Sequence, residues 1–113
     1  MRYALLIGAD ENEAVSPEET AERLEEFDAF IAEMSERGVL LGGERLRPVT
    51  TSTTVRVRSG GLVVADGPFA ETKEQIAGFF LVDCKDLDEA IEVAQRVPAA
   101  RWGTIEVRPV WER

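Results

Sequence analysis

The chain has 113 residues, of which 44% are hydrophobic, and it carries a net charge of −9 at neutral pH. This length suits a single domain, residues 1–113, around one core, and the charge argues against binding nucleic acid or an anionic membrane. The sequence has no histidine, which excludes Ser-His-Asp and Cys-His catalysis and histidine-containing metal motifs, and its one cysteine excludes an internal disulfide. We therefore expect a cytoplasmic protein without a signal peptide, a membrane span, a transition metal or a cofactor.

The first predicted elements are a strand and a helix. Tyr3–Gly8 is apolar on both faces of a strand, which predicts an interior position in a sheet. Ser16, Pro17 and Glu19 form a capping pattern that begins a helix, and Gly38 is a suitable residue to end it. Between these signals an apolar stripe recurs at helical spacing: Leu24, Phe27, Ile31 and Met34, with Phe30 beside it.

Charge is unevenly distributed along the chain. Residues 10–37 hold eleven acidic and two basic residues and therefore sum to −9, which is typical of a solvated helix face. Four arginines, and no acidic residue, fall within residues 45–58: Arg45, Arg47, Arg56 and Arg58. This cluster favours one of two roles, either contact with a small anionic ligand or protection of exposed strands from wrong pairing.

The middle of the chain predicts a strand and a hairpin. Val39–Pro48 is the predicted strand, and Gly42-Gly43 inside it suggests a bulge or a close backbone approach. Thr53–Arg58 and Leu62–Ala65 form the two sides of the hairpin, with Gly60-Gly61 as its turn.

A polar corner, Asp66-Gly67-Pro68-Phe69, follows the hairpin and leads to the most apolar run of the chain, Ile76–Val82. Pro68 fixes its own backbone, and Gly67 can adopt angles that other residues avoid. We expect Phe69 to anchor the corner in the core. Because Ile76–Val82 carries no charge, we expect both of its faces to be buried.

The chain ends with a second helix and a last strand. Asp86 and Glu89 repeat the capping pattern, Pro98 stops the helix, and Thr104–Val110 alternates as an outer strand. Without the hairpin the order is βαββαβ, which predicts an α+β, ferredoxin-like fold: an antiparallel sheet with two helices on one face and an inserted hairpin. The other face would expose apolar central strands, and a second copy of the chain is the simplest cover, so we expect a homodimer.

The segment Asp66-Gly67-Pro68-Phe69-Ala70-Glu71-Thr72-Lys73-Glu74 resembles the signature of DGPF-domain proteins in the YCII-related family. Gly42-Gly43-Glu44, the opening strand and the ending from Arg101 to Val110 resemble that family too, so the resemblance covers nearly the whole chain. It implies a ferredoxin-like fold that pairs into a dimeric α/β barrel, in small bacterial cytoplasmic proteins. The His-Asp pair proposed as catalytic in one branch of the family has no counterpart here, because the chain has no histidine. The resemblance brings no substrate.

The candidate site residues lie in and near this signature. Asp66 either accepts backbone hydrogen bonds across the turn or acts on a ligand, and we take it as the candidate catalytic residue. Glu71 and Lys73 either pair with each other or contact a ligand. We predict that Asp66, Glu71 and Lys73 line one cleft, that Arg45 or Arg47 supplies its opposing positive wall, and that the Gly67-Pro68-Phe69 bend supports it.

Two classes of function remain open at this point. One is a binder of a small, possibly anionic, molecule or an enzyme acting on one, with Asp66 serving acid–base isomerisation or lactone chemistry. The other is a non-catalytic regulatory or protein-interaction module. A screen of small carboxylates, lactones and phosphates for stabilisation, followed by a test for turnover, separates the two classes.

Overall fold

A computed structural model of the protein describes residues 1–112. The regular elements follow the predicted order, and in this range they are β1 (Arg2–Ala9), α1 (Pro17–Glu36), β2 (Leu40–Arg45), β3 (Thr53–Arg58), β4 (Gly61–Asp66), β5 (Gln75–Asp83), α2 (Leu87–Arg96) and β6 (Thr104–Pro109). Short 3₁₀ turns lie at Val49–Thr51 and Pro98–Arg101.

Four strands form one antiparallel sheet in the order β2-β5-β1-β6, and β3 pairs only with β4 in a separate two-stranded sheet. With the hairpin set aside, β1 and β5 are central and β2 and β6 are outer, which is the ferredoxin-like arrangement. The predicted α+β fold is therefore confirmed.

Both helices pack on one face of the four-stranded sheet. Alternate residues of the central strands point to this face, among them Leu5 of β1 and Val82 of β5, each with 0% of its surface exposed. They form one core cluster with residues from the second half of α1 and from α2: Phe30, Met34, Ala90, Val93 and Ala94. The core therefore lies between the helices and one side of the sheet.

The two helix starts form as the local sequence predicts. The Ser16 hydroxyl accepts a hydrogen bond from the Glu19 N–H at 3.1 Å, and the Asp86 carboxylate accepts one from the Glu89 N–H at 2.9 Å. Each bond satisfies an amide that has no partner within its helix. Gly38 follows the end of α1 with a φ of 72°, the left-handed conformation that favours glycine at this position.

The glycine pair in β2 produces both predicted features. The pairing of β2 with β5 shifts between Leu40 and Gly42, so the strand carries an irregularity there. At Gly43, an added Cβ would lie 2.5 Å from the Phe79 carbonyl oxygen and 2.6 Å from Cδ1 of Phe80. Glycine at 43 thus permits the close approach of β2 to β5.

The hairpin, here named the arm (residues 53–66), forms as predicted but turns one residue earlier. Ser59 and Gly60 occupy the turn with φ values of 52° and 74°, as a type I′ hairpin turn requires. Within residues 1–112 the arm joins no other strand. Its base, where β4 ends at Asp66, leads into the bend at Pro68, and Phe69 is 78% exposed there. The prediction that Phe69 anchors the bend in the core is wrong, because the arm lies apart from the main sheet and leaves no core beneath the bend.

We name the side of the sheet away from the helices the open sheet face (Leu6, Ile76, Phe79 and Leu81). Residues 1–112 of the chain do not cover this face. Phe79 lies opposite Leu6, and Gly8 lies opposite Ile76. Ile76 is 43% exposed and Phe79 37% exposed. Within a single chain, therefore, only one face of the predicted run Ile76–Val82 is buried.

Candidate functional site

A cavity of about 550 Å³ lies between α1 and the helix-facing side of the sheet, and we name it the helix–sheet cavity. Two glycines on that side of the sheet, Gly43 and Gly78, form part of its lining. Neither glycine contributes a side chain to the cavity. The backbone of the paired strands β2 and β5 therefore forms part of the cavity floor.

Helix α1 forms the opposite wall of this cavity, through residues between 20 and 31. The apolar stripe of the helix continues here, but Leu24 is 44% exposed and Ile31 is 39% exposed. Two other apolar residues of the same helix, Phe30 and Met34, are buried in the core. The stripe predicted from helical spacing therefore serves two purposes, since one part fills the core and the other lines the cavity.

Aromatic rings add to the apolar lining. Phe27 stacks with Phe80 at a ring-centroid distance of 6.4 Å and meets Trp102 edge-on at the same distance. All three residues line the helix–sheet cavity. Such flat, apolar walls suit the carbon skeleton of a small organic molecule.

Arg23 lies at the cavity but already has partners for its charge. Its guanidinium lies 3.9 Å from the centre of the Trp102 ring and forms salt bridges with Glu13 at 2.8 Å and Glu19 at 3.1 Å. The hydrogen bond to Glu13 raises the pKa of Arg23 above its ordinary value, against an opposing effect of burial. Arg23 therefore joins the helix to the turn after α2 and is not a free cation.

Arg45 is the cationic residue of the lining that keeps its charge free. It is the last residue of β2 and lies opposite Gly78. Across residues 1–112, no carboxylate forms a salt bridge with its guanidinium, and the side chain is exposed. The lining also includes two acidic residues, Asp28 and Glu44. The cavity thus combines apolar walls with one unpaired cation and two carboxylates.

A second hollow, of about 420 Å³, lies between α1, the end of α2 and the turn after it. Its charged residues pair across it, Glu26 with Arg101 and Glu33 with Arg96. Each salt bridge joins α1 to a residue at the end of α2 or in the turn after it. Neither salt bridge leaves an unpaired charge for a ligand. The helix–sheet cavity is therefore the better candidate site.

The bend after the arm is held by backbone and hydroxyl groups. Gly67 has a φ of 97°, so the prediction that it adopts an angle other residues avoid is confirmed. Its N–H donates to the Ser52 carbonyl at 2.9 Å, and the Thr54 hydroxyl donates to its carbonyl. Asp66 ends β4 with an exposed side chain, and its carboxylate accepts no hydrogen bond from any residue between 1 and 112.

Residues after the bend are fixed near the sheet by Glu74 and Gln75. The Glu74 carboxylate accepts a hydrogen bond from the Thr104 hydroxyl of β6 at 2.7 Å, and the Gln75 amide donates to the Ala70 and Thr72 carbonyls. Glu71 and Lys73, which lie in the segment between the bend and Gln75, are exposed. In the described part of the chain they form no salt bridge with each other.

Of the ligand contacts predicted from the sequence, the structure places Arg45 in the lining of the helix–sheet cavity. Asp66, Glu71 and Lys73 line neither of the two hollows, and Arg47 is exposed beyond the end of β2. Arg45 of β2 does not lie beside Arg56 and Arg58 of β3, because β2 and β3 belong to different sheets.

Other residues of the cavity were not predicted. Arg23, Asp28 and Trp102 reach it through the packing of α1 on the sheet, which the sequence does not specify. One signal could have indicated Arg23: it is one of only two basic residues in the acidic stretch 10–37.

Residues 1–112 offer no strong candidate for a metal centre or a reactive thiol. No group of three or more acidic or cysteine side chains is placed to hold a metal ion in this range. Cys84 is 2% exposed, and burial raises the pKa of its thiol. None of the helices described is long and apolar enough to cross a membrane.

The fold and the site together define an α+β protein with a ferredoxin-like sheet and a cavity beneath its first helix. The family model of the YCII-related domain matches residues 1–113, and the chain belongs to that family. The chain is 42% identical, over 114 residues, to an uncharacterized protein of Rhizobium meliloti (strain 1021). The alignment covers 97% of this chain and 92% of that protein, so the likeness extends over the full fold.

Proposed function

We propose that the protein binds a small anionic molecule with an apolar body in the helix–sheet cavity. The observation that carries this proposal is Arg45, a cation without a salt-bridge partner in residues 1–112, at the edge of a cavity with aromatic and aliphatic walls. An apolar body would pack on Phe27 and Trp102, and a carboxylate or phosphate would meet the guanidinium.

Binding requires only this cavity and this cation. A reaction would also require a general acid or base beside the ligand, and the chain supplies Asp28 and Glu44 in the lining. Asp66 would take part only if a second copy of the chain, or a movement of the arm, brought it to the ligand. We therefore propose binding as the primary function and treat turnover as a separate test.

Ligand binding can be tested by thermal shift with small carboxylates, lactones and phosphates, followed by titration calorimetry on each stabilising compound. Arg45→Ala should weaken binding of an anionic hit by about tenfold or more, because it removes the cation of the lining that has no salt-bridge partner within residues 1–112. Arg47→Ala is the matched control, since it removes the same exposed side chain two residues farther on, outside the lining. Equal affinities of the two variants, or no stabilising compound in the panel, would contradict the proposal.

We also propose that the protein is a homodimer in which the open sheet face is covered by a second copy. The supporting observation is the exposure of Ile76 and Phe79 beside Leu6 and Leu81 on the central strands. Pairing through this face would create the dimeric α/β barrel. Light scattering should give a mass of about 25 kDa, twice the 12.5 kDa chain, and a stable monomer at micromolar concentration would rule the dimer out.

A further inference from the structure

The arm is amphipathic, and its apolar face is uncovered. Directly opposed residues of an antiparallel pair share a face, so Val55 lies beside Val64 and Val57 beside Leu62 on one side of the arm. These four side chains are 57–69% exposed: Val64 57%, Val55 62%, Val57 64% and Leu62 69%. The other side carries Thr54, Arg56, Val63, Ala65 and Arg58.

The arm has little support from its own chain. Its two strands pair only with each other, and they make no extensive contact with another element in residues 1–112. A two-stranded hairpin alone is marginally stable in water. The Cα radius of gyration is 16.0 Å, whereas a compact chain of this length would have about 13 Å, so the arm extends away from the body.

We propose that the apolar face of the arm packs on a second copy of this chain, so that each protomer reaches across to its partner. This inference rests on the proposed homodimer but goes beyond it, because it adds a second contact to the one through the open sheet face. A second copy of this chain suits the arm in both apolar area and charge.

The arm and the main sheet each present an apolar surface. The chain has two uncovered apolar surfaces, the arm face and the open sheet face, and a two-fold dimer can bury both at once. A stable interface needs about 800 Å² from each partner. Four aliphatic side chains on an arm offer only part of that area, and the open sheet face supplies the remainder.

The arm and the body of the chain also differ in the sign of their charge. The arm, residues 53–66, holds two arginines, Arg56 and Arg58, and one acidic residue, Asp66. Residues 10–37 of the body sum to −9. The arm therefore carries a small positive charge toward the acidic body of a second copy. Arg56 and Arg58 lie on the side of the arm away from the docked apolar face, so they act at the edge of the contact and offset only part of the repulsion between two chains of the same net charge.

Docking has a consequence for Asp66. This residue pairs with Thr53 at the base of the arm, on the same face as Val55 and Val64. An arm that packs on the partner carries the Asp66 carboxylate onto the partner with it. Asp66, which lines neither of the two hollows described within residues 1–112, would then contribute to a surface shared by two copies.

The test compares adjacent valines on opposite faces of β4. Val64→Asp places a charge on the apolar face, and Val63→Asp places the same charge on the other face. Sedimentation equilibrium should show the dimer dissociation constant rising by about tenfold or more for Val64→Asp and by less than about threefold for Val63→Asp. Equal constants for the two variants, or a wild-type chain that is monomeric at every concentration, would overturn the inference.

A second pair of variants covers the case in which a charge unfolds the arm. Val57→Thr combined with Val64→Thr keeps two β-branched side chains and removes only apolar surface, and Val63→Thr is its control. The double variant should still weaken the dimer several-fold relative to the control, with an unchanged far-ultraviolet circular dichroism spectrum. A double variant that dimerises as tightly as the control would also overturn the inference.

Phe79→Asp separates this inference from the proposed sheet-face dimer. If Phe79→Asp dissociates the dimer while the Val64 and Val63 variants behave alike, the sheet-face contact stands and the arm contact fails. If Val64→Asp dissociates the dimer and Phe79→Asp does not, the arm contact stands and the sheet-face contact fails.

Discussion

Gly43→Ala tests whether the close approach of β2 to β5 is rigid. The new Cβ would lie 2.5 Å from the Phe79 carbonyl oxygen and 2.6 Å from Cδ1 of Phe80. The carbonyl belongs to the strand paired with β2, and the Phe80 ring packs on Phe30 at a centroid distance of 5.1 Å. Neither atom can move without disturbing the ladder or the core.

The expected loss follows from these contacts. Overpacking of a filled site costs about 1–3 kcal/mol, and replacing glycine by alanine returns about 0.4–1 kcal/mol through the unfolded chain. A net loss of about 1.3 kcal/mol is expected from the middle of these ranges, and for a chain of this size it lowers Tm by about 5 °C. The free energy of unfolding would be measured in urea and Tm by circular dichroism. All variants should be compared at one protein concentration, since association shifts apparent stability.

Gly42→Ala is the matched control for this substitution. A Cβ at Gly42 would meet no atom within 4 Å, and neither glycine has a positive φ. Gly42→Ala should therefore leave stability unchanged or raise it by up to about 1 kcal/mol. If the two variants unfold within about 0.5 kcal/mol of each other, the sheet yields at this point and the argument from close approach fails.

Two further predictions concern charged residues. Asp66→Asn should change the free energy of unfolding by less than about 0.5 kcal/mol, because the carboxylate accepts no hydrogen bond within residues 1–112. If Asp66 contacts a ligand, the same substitution should lower the ligand affinity measured by calorimetry about tenfold. An unchanged affinity would show that Asp66 is a surface residue without a role in binding. At Glu92, burial opposes ionisation, but hydrogen bonds from Arg37 and Arg96 lower the carboxyl pKa below its ordinary value. The stabilisation of the fold by ionised Glu92 is therefore present above the pKa of this carboxyl in the unfolded chain. It is lost as the pH falls through the lower pKa of the carboxyl in the folded chain. Glu92→Gln should cost less than about 1 kcal/mol at pH 7 and almost nothing at about pH 3 in urea unfolding, and a cost that does not shrink in acid would refute this assignment.

Local signals in the sequence were sufficient for the elements and their order. Ser16 and Asp86 begin their helices through bonds that span three residues, and Gly38 ends a helix through its own φ. Apolar faces on the central strands distinguished them from the outer ones. These features depend on neighbours in the chain or on a simple alternation, both of which a sequence displays.

The position of the arm and the location of the cavity could not be obtained in this way. Phe69 was expected in the core because it is apolar, but its burial depends on where the arm points, and the arm pairs with no strand of the main sheet. The floor of the cavity includes Gly43 and Gly78, which fall on the helix-facing side of two paired strands. That coincidence depends on the register between strands about 35 residues apart, which single-strand patterns do not contain.

The glycines beneath the cavity also limit how its specificity can evolve. An added Cβ would collide with the β5 backbone at Gly43 and, at Gly78, would lie 2.8 Å from the Glu44 carbonyl oxygen. The sheet side of the cavity therefore cannot be made smaller by ordinary substitutions without separating β2 from β5. Leu24 and Ile31 on the helix side are partly exposed and free to vary in size. Relatives that keep this sheet and accept smaller or larger molecules should therefore differ mainly at the residues of α1 that line the cavity.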